Sequence, residues 1–163
     1  MAIMVPRFRI SERTESQLAG MQLAQDIDLA RTRALSTRSV VRVVFDDEAD
    51  NYGGFRDNDD DGTINESALE TQSLQGWGTR PLPDRMLFGR GAASSVPGDQ
   101  GSGAITFADG RLEFDSRGLT RPFGASGTVY LVSEHDPTSV VAVQVAPSGN
   151  VRFWTWKKEG GWK

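Results

Sequence analysis

Leu18-Ala19-Gly20-Met21-Gln22-Leu23-Ala24-Gln25-Asp26-Ile27-Asp28-Leu29-Ala30-Arg31-Thr32-Arg33-Ala34-Leu35 gives way to Ser39-Val40-Val41-Arg42-Val43-Val44-Phe45, and the change of period between the two runs decides the fold. In the first run Ala19, Leu23, Ile27, Ala30 and Ala34 recur at spacings of four, four, three and four, which places them in one stripe of a helix. The helical pattern covers residues 11–38 and amounts to roughly seven turns, longer than a small domain needs. Ser11 or Thr14 supplies its N-cap, and Glu12 and Glu15 lie at the positive end of the dipole. Arg31, Arg33 and Arg38 gather toward the opposite end, where cations are favoured. Leu18, Met21 and Leu29 fall on the other side of the wheel. They read either as scattered surface groups, which are common, or as a second contact face that serves a partner.

The second run is short and β-branched, as a strand requires. Met86-Leu87-Phe88 is a brief apolar return after Pro81 and Pro83, and residues 89–103, rich in Gly, Ser and Ala, read as a mobile loop. Ala104-Ile105-Thr106-Phe107 and Arg111-Leu112-Glu113-Phe114 flank Ala108-Asp109-Gly110, which predicts a hairpin. Residues 128–132 are expected to pair with 140–145 across the loop holding His135. The turn Pro147-Ser148-Gly149-Asn150 should then lead into a strand over 151–156. A long helix followed by antiparallel strands is an α+β arrangement, a long N-terminal amphipathic helix packed on antiparallel β-sheet. At 163 residues the chain is expected to form one domain, with the helix at 11–38, a β-rich part at 39–156 and an acidic loop at 46–70.

That loop is where the charge is concentrated. Between residues 46 and 70 ten Asp or Glu stand against one Arg, a local −9 in a chain whose net charge is −4. Arg56-Asp57-Asn58-Asp59-Asp60-Asp61-Gly62-Thr63-Ile64-Asn65-Glu66 carries the start of a calcium loop of the D-x-D-x-D-G type. Asp57, Asp59 and Asp61 take positions one, three and five, Gly62 six, Thr63 seven through its carbonyl, and Asn65 nine. Position twelve, where such loops place a bidentate Glu, is Ala68, with Glu66 and Glu70 as the nearby acids. No helical pattern enters the loop, so it is not half of a helix–loop–helix pair. Two readings stand: a weak site for calcium or a similar hard cation, or a solvated acidic loop.

Several function classes have no residues to work with. Cysteine is absent, which removes disulfides, thiolate metal sites and cysteine nucleophiles. The single histidine, His135, lies in the polar run Ser133-Glu134-His135-Asp136-Pro137-Thr138, a loop setting. No G-x-S-x-G, H-E-x-x-H or phosphate-loop motif occurs, so an enzyme is not expected. No run of eighteen apolar residues is present to span a membrane. Phe153, Trp154, Trp156 and Trp162 lie among Lys157, Lys158 and Lys163, a mixture that suits single-stranded nucleic acid. Net negative charge opposes that partner, and strand alternation sends Phe153 and Trp154 to opposite faces, so the aromatics are expected to cover sheet or helix.

The order of these signals resembles the type IV pilin-like minor pseudopilins of the GspH/FimT (FimU) family. Leu29-Ala30-Arg31-Thr32-Arg33-Ala34-Leu35 with Val40-Val41-Arg42-Val43-Val44-Phe45 is similar to that family's L-A-R-x-x-A helix end and first strand. Phe114-Asp115-Ser116-Arg117-Gly118 is similar to its F-x-x-x-G turn, and Ser126-Gly127-Thr128-Val129-Tyr130-Leu131 to its S-G-T-[LIV]-x-L strand. Val141-Ala142-Val143-Gln144-Val145 through Ser148-Gly149-Asn150-Val151-Arg152 is similar to its closing hairpin, with Asn150 in place of the common Arg. The resemblance covers roughly residues 17–156.

It implies a structural subunit of a type II secretion or type IV pilus filament, assembling through its N-terminal helix with other pseudopilins or pilins. It also implies a precursor processed by a prepilin peptidase. An apolar membrane helix would stand directly before Met4-Val5-Pro6, making this chain the periplasmic part of a protein tethered to the bacterial inner membrane. The competing reading is a secreted calcium-dependent binding module, for carbohydrate as an example, with the C-terminal tryptophans as its platform.

Overall fold

The computed structural model describes residues 11–64 and 79–163. Helix α1 (Glu12–Thr37) opens at Ser11, whose Oγ accepts from the Thr14 amide at 3.3 Å, and closes on Arg38 in the left-handed conformation. Among the described residues ten strands follow: β1 (Val41–Asp46), β2 (Asn51–Arg56), β3 (Arg80–Pro81), β4 (Met86–Phe88), β5 (Arg111–Phe114), β6 (Thr120–Arg121), β7 (Gly127–Ser133), β8 (Val140–Val145), β9 (Val151–Lys157) and β10 (Gly161–Trp162). They form two antiparallel sheets, ordered β3-β2-β1-β5-β6 and β10-β9-β8-β7-β4. The expected α+β architecture, with a long helix on antiparallel sheet, is the one observed.

The helical stripe read from the sequence is the buried one. Ala19, Leu23, Ile27, Ala30 and Ala34 enter a core shared with Val41, Val43, Phe45, Leu112 and Phe114 of the first sheet and Val129, Leu131, Val141, Val143 and Val145 of the second. Leu23 and Ile27 are wholly enclosed, and each contributes about 1.5–3 kcal/mol by leaving water. Gly20 lets the helix close on the second sheet, because a Cβ there would lie 2.6 Å from the Phe153 ring and 2.8 Å from Val141.

The second sheet is covered on both faces, so its strands read as continuous apolar runs. Val129 and Leu131 point toward the helix, while Tyr130 and Val132 join Ala142, Val140, Trp154 and Trp156 on the far side. Over that far side lies the 89–103 segment, which was expected to be mobile. Among its anchors, Val96 is buried, Arg90 donates to the Gly101 and Gly103 carbonyls at 2.6 and 2.7 Å, and the Trp162 indole donates to the Ser94 carbonyl at 2.9 Å. Its glycines shape a tied-down loop rather than a free one.

Three further expectations are corrected. Residues 104–107 and β5 do not form a hairpin: Ile105 makes an isolated bridge to Val129 in the second sheet, whereas β5 pairs with β1 in the first. Asp109 and Gly110 do take positive φ, as their turn signal requires, but the turn carries the chain from one sheet to the other. Phe107, buried and stacked 5.8 Å from Phe45, rewards that crossing. The acidic segment 46–70 is not one loop, because β2 pairs with β1 from Asn51 to Arg56. Gly53 and Gly54 depress strand propensity there and hid β2 from the sequence reading. The strands also continue to Trp162, past residue 156.

Candidate functional site

Three places stand out: the outer face of the helix, a set of buried polar ties that hold the helix in position, and the acidic loop. On the outer face Leu18, Met21 and Leu29 are 56%, 48% and 39% exposed. The helix thus meets its own domain along one side and offers these apolar groups to solvent along the other. Leu35, 46% exposed, lies on the flank of the helix instead, against Gly118.

Polar ties fix how that face is presented. Asp26, buried within the helix's inner side, accepts from the Tyr52 hydroxyl at 2.6 Å, from Arg80 at 3.1 and 3.2 Å and from Gln22 at 3.1 Å. Burial, then the hydrogen bond to Asp26, pushes the Tyr52 hydroxyl well above its usual ionisation range. Ser16 joins Ser139 through a 2.8 Å hydroxyl pair. At the other end Arg31 donates to the Gly118 carbonyl at 3.0 Å, the Ser148 carbonyl at 3.3 Å and the Asn150 side chain at 3.4 Å. Gly149 has φ +81°, and a Cβ there would lie 2.2 Å from the Gly118 carbonyl, so the two turns meet only because this residue is glycine.

The second sheet carries its own tie. The Tyr130 hydroxyl donates to Asp99 at 2.5 Å and accepts from the Val96 amide at 2.9 Å, with the Arg90 guanidinium 4.1 Å from the ring centre. Burial and the Asp99 hydrogen bond push that hydroxyl up to about 12. Apart from Gln22, four residues before Asp26 on the same helix, these partners lie far from their mates in sequence, so no local pattern could have revealed them.

In the acidic loop Asp57, Asp59 and Asp61 come together, one carboxylate oxygen of each lying within 4.8 Å of the others. Asp57 is buried and the other two are exposed. Asp57 is held at both ends: its amide donates to the Val40 carbonyl at 2.9 Å, and its Oδ2 accepts from the Gly62 amide at 2.8 Å. Its Oδ1 is buried and has no hydrogen-bond partner. Thr63 donates its amide to Asp61 at 2.7 Å. The loop borders a cleft of about 560 Å³ whose walls include Thr37, Val40, Asp57, Gly62, Arg117 and Arg121. Arg121 donates to the Gly62 carbonyl at 2.6 Å, and Arg117 pairs with Asp115 at 2.9 Å. Asn65, Glu66 and Glu70, the remaining predicted ligands, lie outside the described residues.

The tryptophan platform is not formed. Trp156 is buried, Trp154 donates to Gln144 at 3.2 Å, and Trp162 packs on Tyr130 with ring centres 5.7 Å apart. These rings close the far side of the second sheet. His135 is exposed on the turn between β7 and β8, apart from all three places.

A long helix laid on two antiparallel sheets is the architecture of a type IV pilin-like protein. The model of one family, described as Type II transport protein GspH, matches residues 19–149, and the chain belongs to that family. No curated protein matches it. Among solved structures it is similar to the type IV minor pilin FimU of Pseudomonas aeruginosa, with 11% identity and a TM-score of 0.55 over 84% of this chain and 90% of that one. It is similar too to the minor pseudopilin EpsH from the type 2 secretion system of Vibrio cholerae, with 12% identity and a TM-score of 0.55 over 86% of this chain and 97% of that one. At these identities the likeness is one of fold.

Proposed function

We propose that the protein is a structural subunit of a type II secretion or type IV pilus filament and that Leu18, Met21 and Leu29 are the face by which it meets neighbouring subunits. Membership of the GspH family supports the subunit role. The observation that carries the face is the exposure of large apolar side chains on a helix whose opposite side is fully packed. In this reading the other pseudopilins or pilins of the same filament are its partners, and a prepilin peptidase matures its precursor. A further apolar segment would tether it to the inner membrane, with the β-sheets in the periplasm. Among the described residues no helix is long and apolar enough to cross a membrane. The subunit reading requires no catalysis.

The absence of cysteine makes the face directly testable in cells carrying the full-length protein. Single cysteines at Leu18, Met21 and Leu29, each labelled with a thiol-reactive photo-cross-linker, should cross-link to other filament subunits on illumination, while one at exposed Glu134 should not. The triple variant Leu18→Glu, Met21→Glu, Leu29→Glu should keep the wild-type melting temperature and lose complementation of secretion or piliation. A folded triple variant that complements fully would refute the assignment of this face.

A further inference from the structure

We propose that the 57–63 loop is a calcium site in which the carboxylates of Asp57, Asp59 and Asp61 are ligands. The inference begins from Asp57. A carboxylate that is 1% exposed has given up its hydration, and such groups hold a partner on each oxygen or lie against a cation. Asp57 has a partner on Oδ2 only, and its buried Oδ1 has none. The loop carries Asp59 and Asp61 to the same point instead of spreading them, against their mutual repulsion, with donor oxygens within 4.8 Å of one another. Ligands on opposite sides of one calcium ion lie about 4.6–5.2 Å apart, given calcium–oxygen distances of about 2.3–2.6 Å. The cluster therefore has the span of a single coordination sphere.

The donor set fixes the class of ion. All three groups are carboxylates, and the chain has no cysteine and has its one histidine elsewhere, so a hard cation is selected over zinc or copper. The surroundings act in both directions. The cleft beside Asp57 includes Thr37, the last residue of α1, whose negative end favours a cation, but also Arg38, Arg117 and Arg121, which lower the affinity for one. Arg56, the nearest basic residue in the chain, turns to Asn58 at 3.1 Å rather than to the carboxylates. Arg121 sits on the Gly62 carbonyl and opposes a second positive charge nearby, and Ala68 stands where a bidentate Glu would complete the loop. Affinity is accordingly set in the weak, extracellular range of roughly 10⁻⁴ to 10⁻³ M.

The proposal does not rest on the filament role and is tested on the isolated chain. Thermal melts after chelation are compared with melts in calcium chloride up to about 10 mM, with magnesium chloride at equal ionic strength as control. Calcium should raise the melting temperature by about 3–10 °C in a saturating manner, and equilibrium dialysis should find one ion per chain. Asp59→Ala and Asp61→Ala alter exposed groups outside the core, so both should still unfold cooperatively without calcium and lose most of the calcium shift measured against their own calcium-free melts. Asp57→Asn should lose it as well. No shift at about 10 mM calcium, an equal shift with magnesium, or an unchanged calcium shift in Asp59→Ala and Asp61→Ala would overturn the proposal.

Discussion

Asp26 and Asp57 are both buried carboxylates, at 3% and 1% exposure, and the fold treats them oppositely. Asp26 receives Tyr52, Arg80 and Gln22 from three directions and ties the helix to the first sheet. Asp57 receives one amide and keeps a bare buried oxygen. The first is explained by the fold itself, because its charge and both oxygens are met from within the chain. The second is not, and its unmet oxygen is the observation on which the calcium proposal stands.

The largest expected effect falls on the satisfied acid. Asp26→Ala should cost roughly 2–4 kcal/mol in urea unfolding, because it strips a buried cluster of the acceptor that three donors share. A loss below about 1 kcal/mol would erase the contrast between the two sites. An intermediate effect is expected at alkaline pH. The Tyr130 hydroxyl ionises only near pH 12 in the folded state, against about 10 when unfolded, and Tyr52 is shifted in the same direction. Raised values favour the protonated, folded form, so this stability is complete below about pH 10 and is lost as pH climbs through about 12. Denaturation between pH 9 and 12 should register a loss of roughly 1–2 kcal/mol after allowance for screening, and a flat profile would show that these hydroxyls are not bound as described. The smallest effect should come from Asp57→Asn in calcium-free buffer. Replacing a buried charge that has a partner on one oxygen only should leave stability within about 1 kcal/mol of wild type, measured by the same urea titration.

Legibility in the sequence followed the range of the interactions. The stripe of Ala19, Leu23, Ile27, Ala30 and Ala34 was readable because a helix face is a local, periodic object, and the pairing of β7, β8 and β9 was readable because short turns connect them. The crossing of β5 was not, since Asp109-Gly110 announces a turn but not its destination, and Phe107 chooses the destination through a contact with Phe45 far back in the chain. Strand β2 was masked by its two glycines. In the acidic loop the spacing of Asp57, Asp59 and Asp61 was visible at once. The burial of the first and the exposure of the others depend on the neighbouring helix end and strand, which spacing alone does not encode.

Arg31 has a mechanical consequence. A subunit carried by its helix feels axial load, and that load must pass into the β-layers if the two are to move together. Arg31 grips two separate turns through Gly118, Ser148 and Asn150. The three bonds would share such a load in parallel, and sliding the helix by one turn, about 5.4 Å, would break all of them at once. The arginine therefore works as a shear pin between rod and body, and the body travels wherever the rod is pulled.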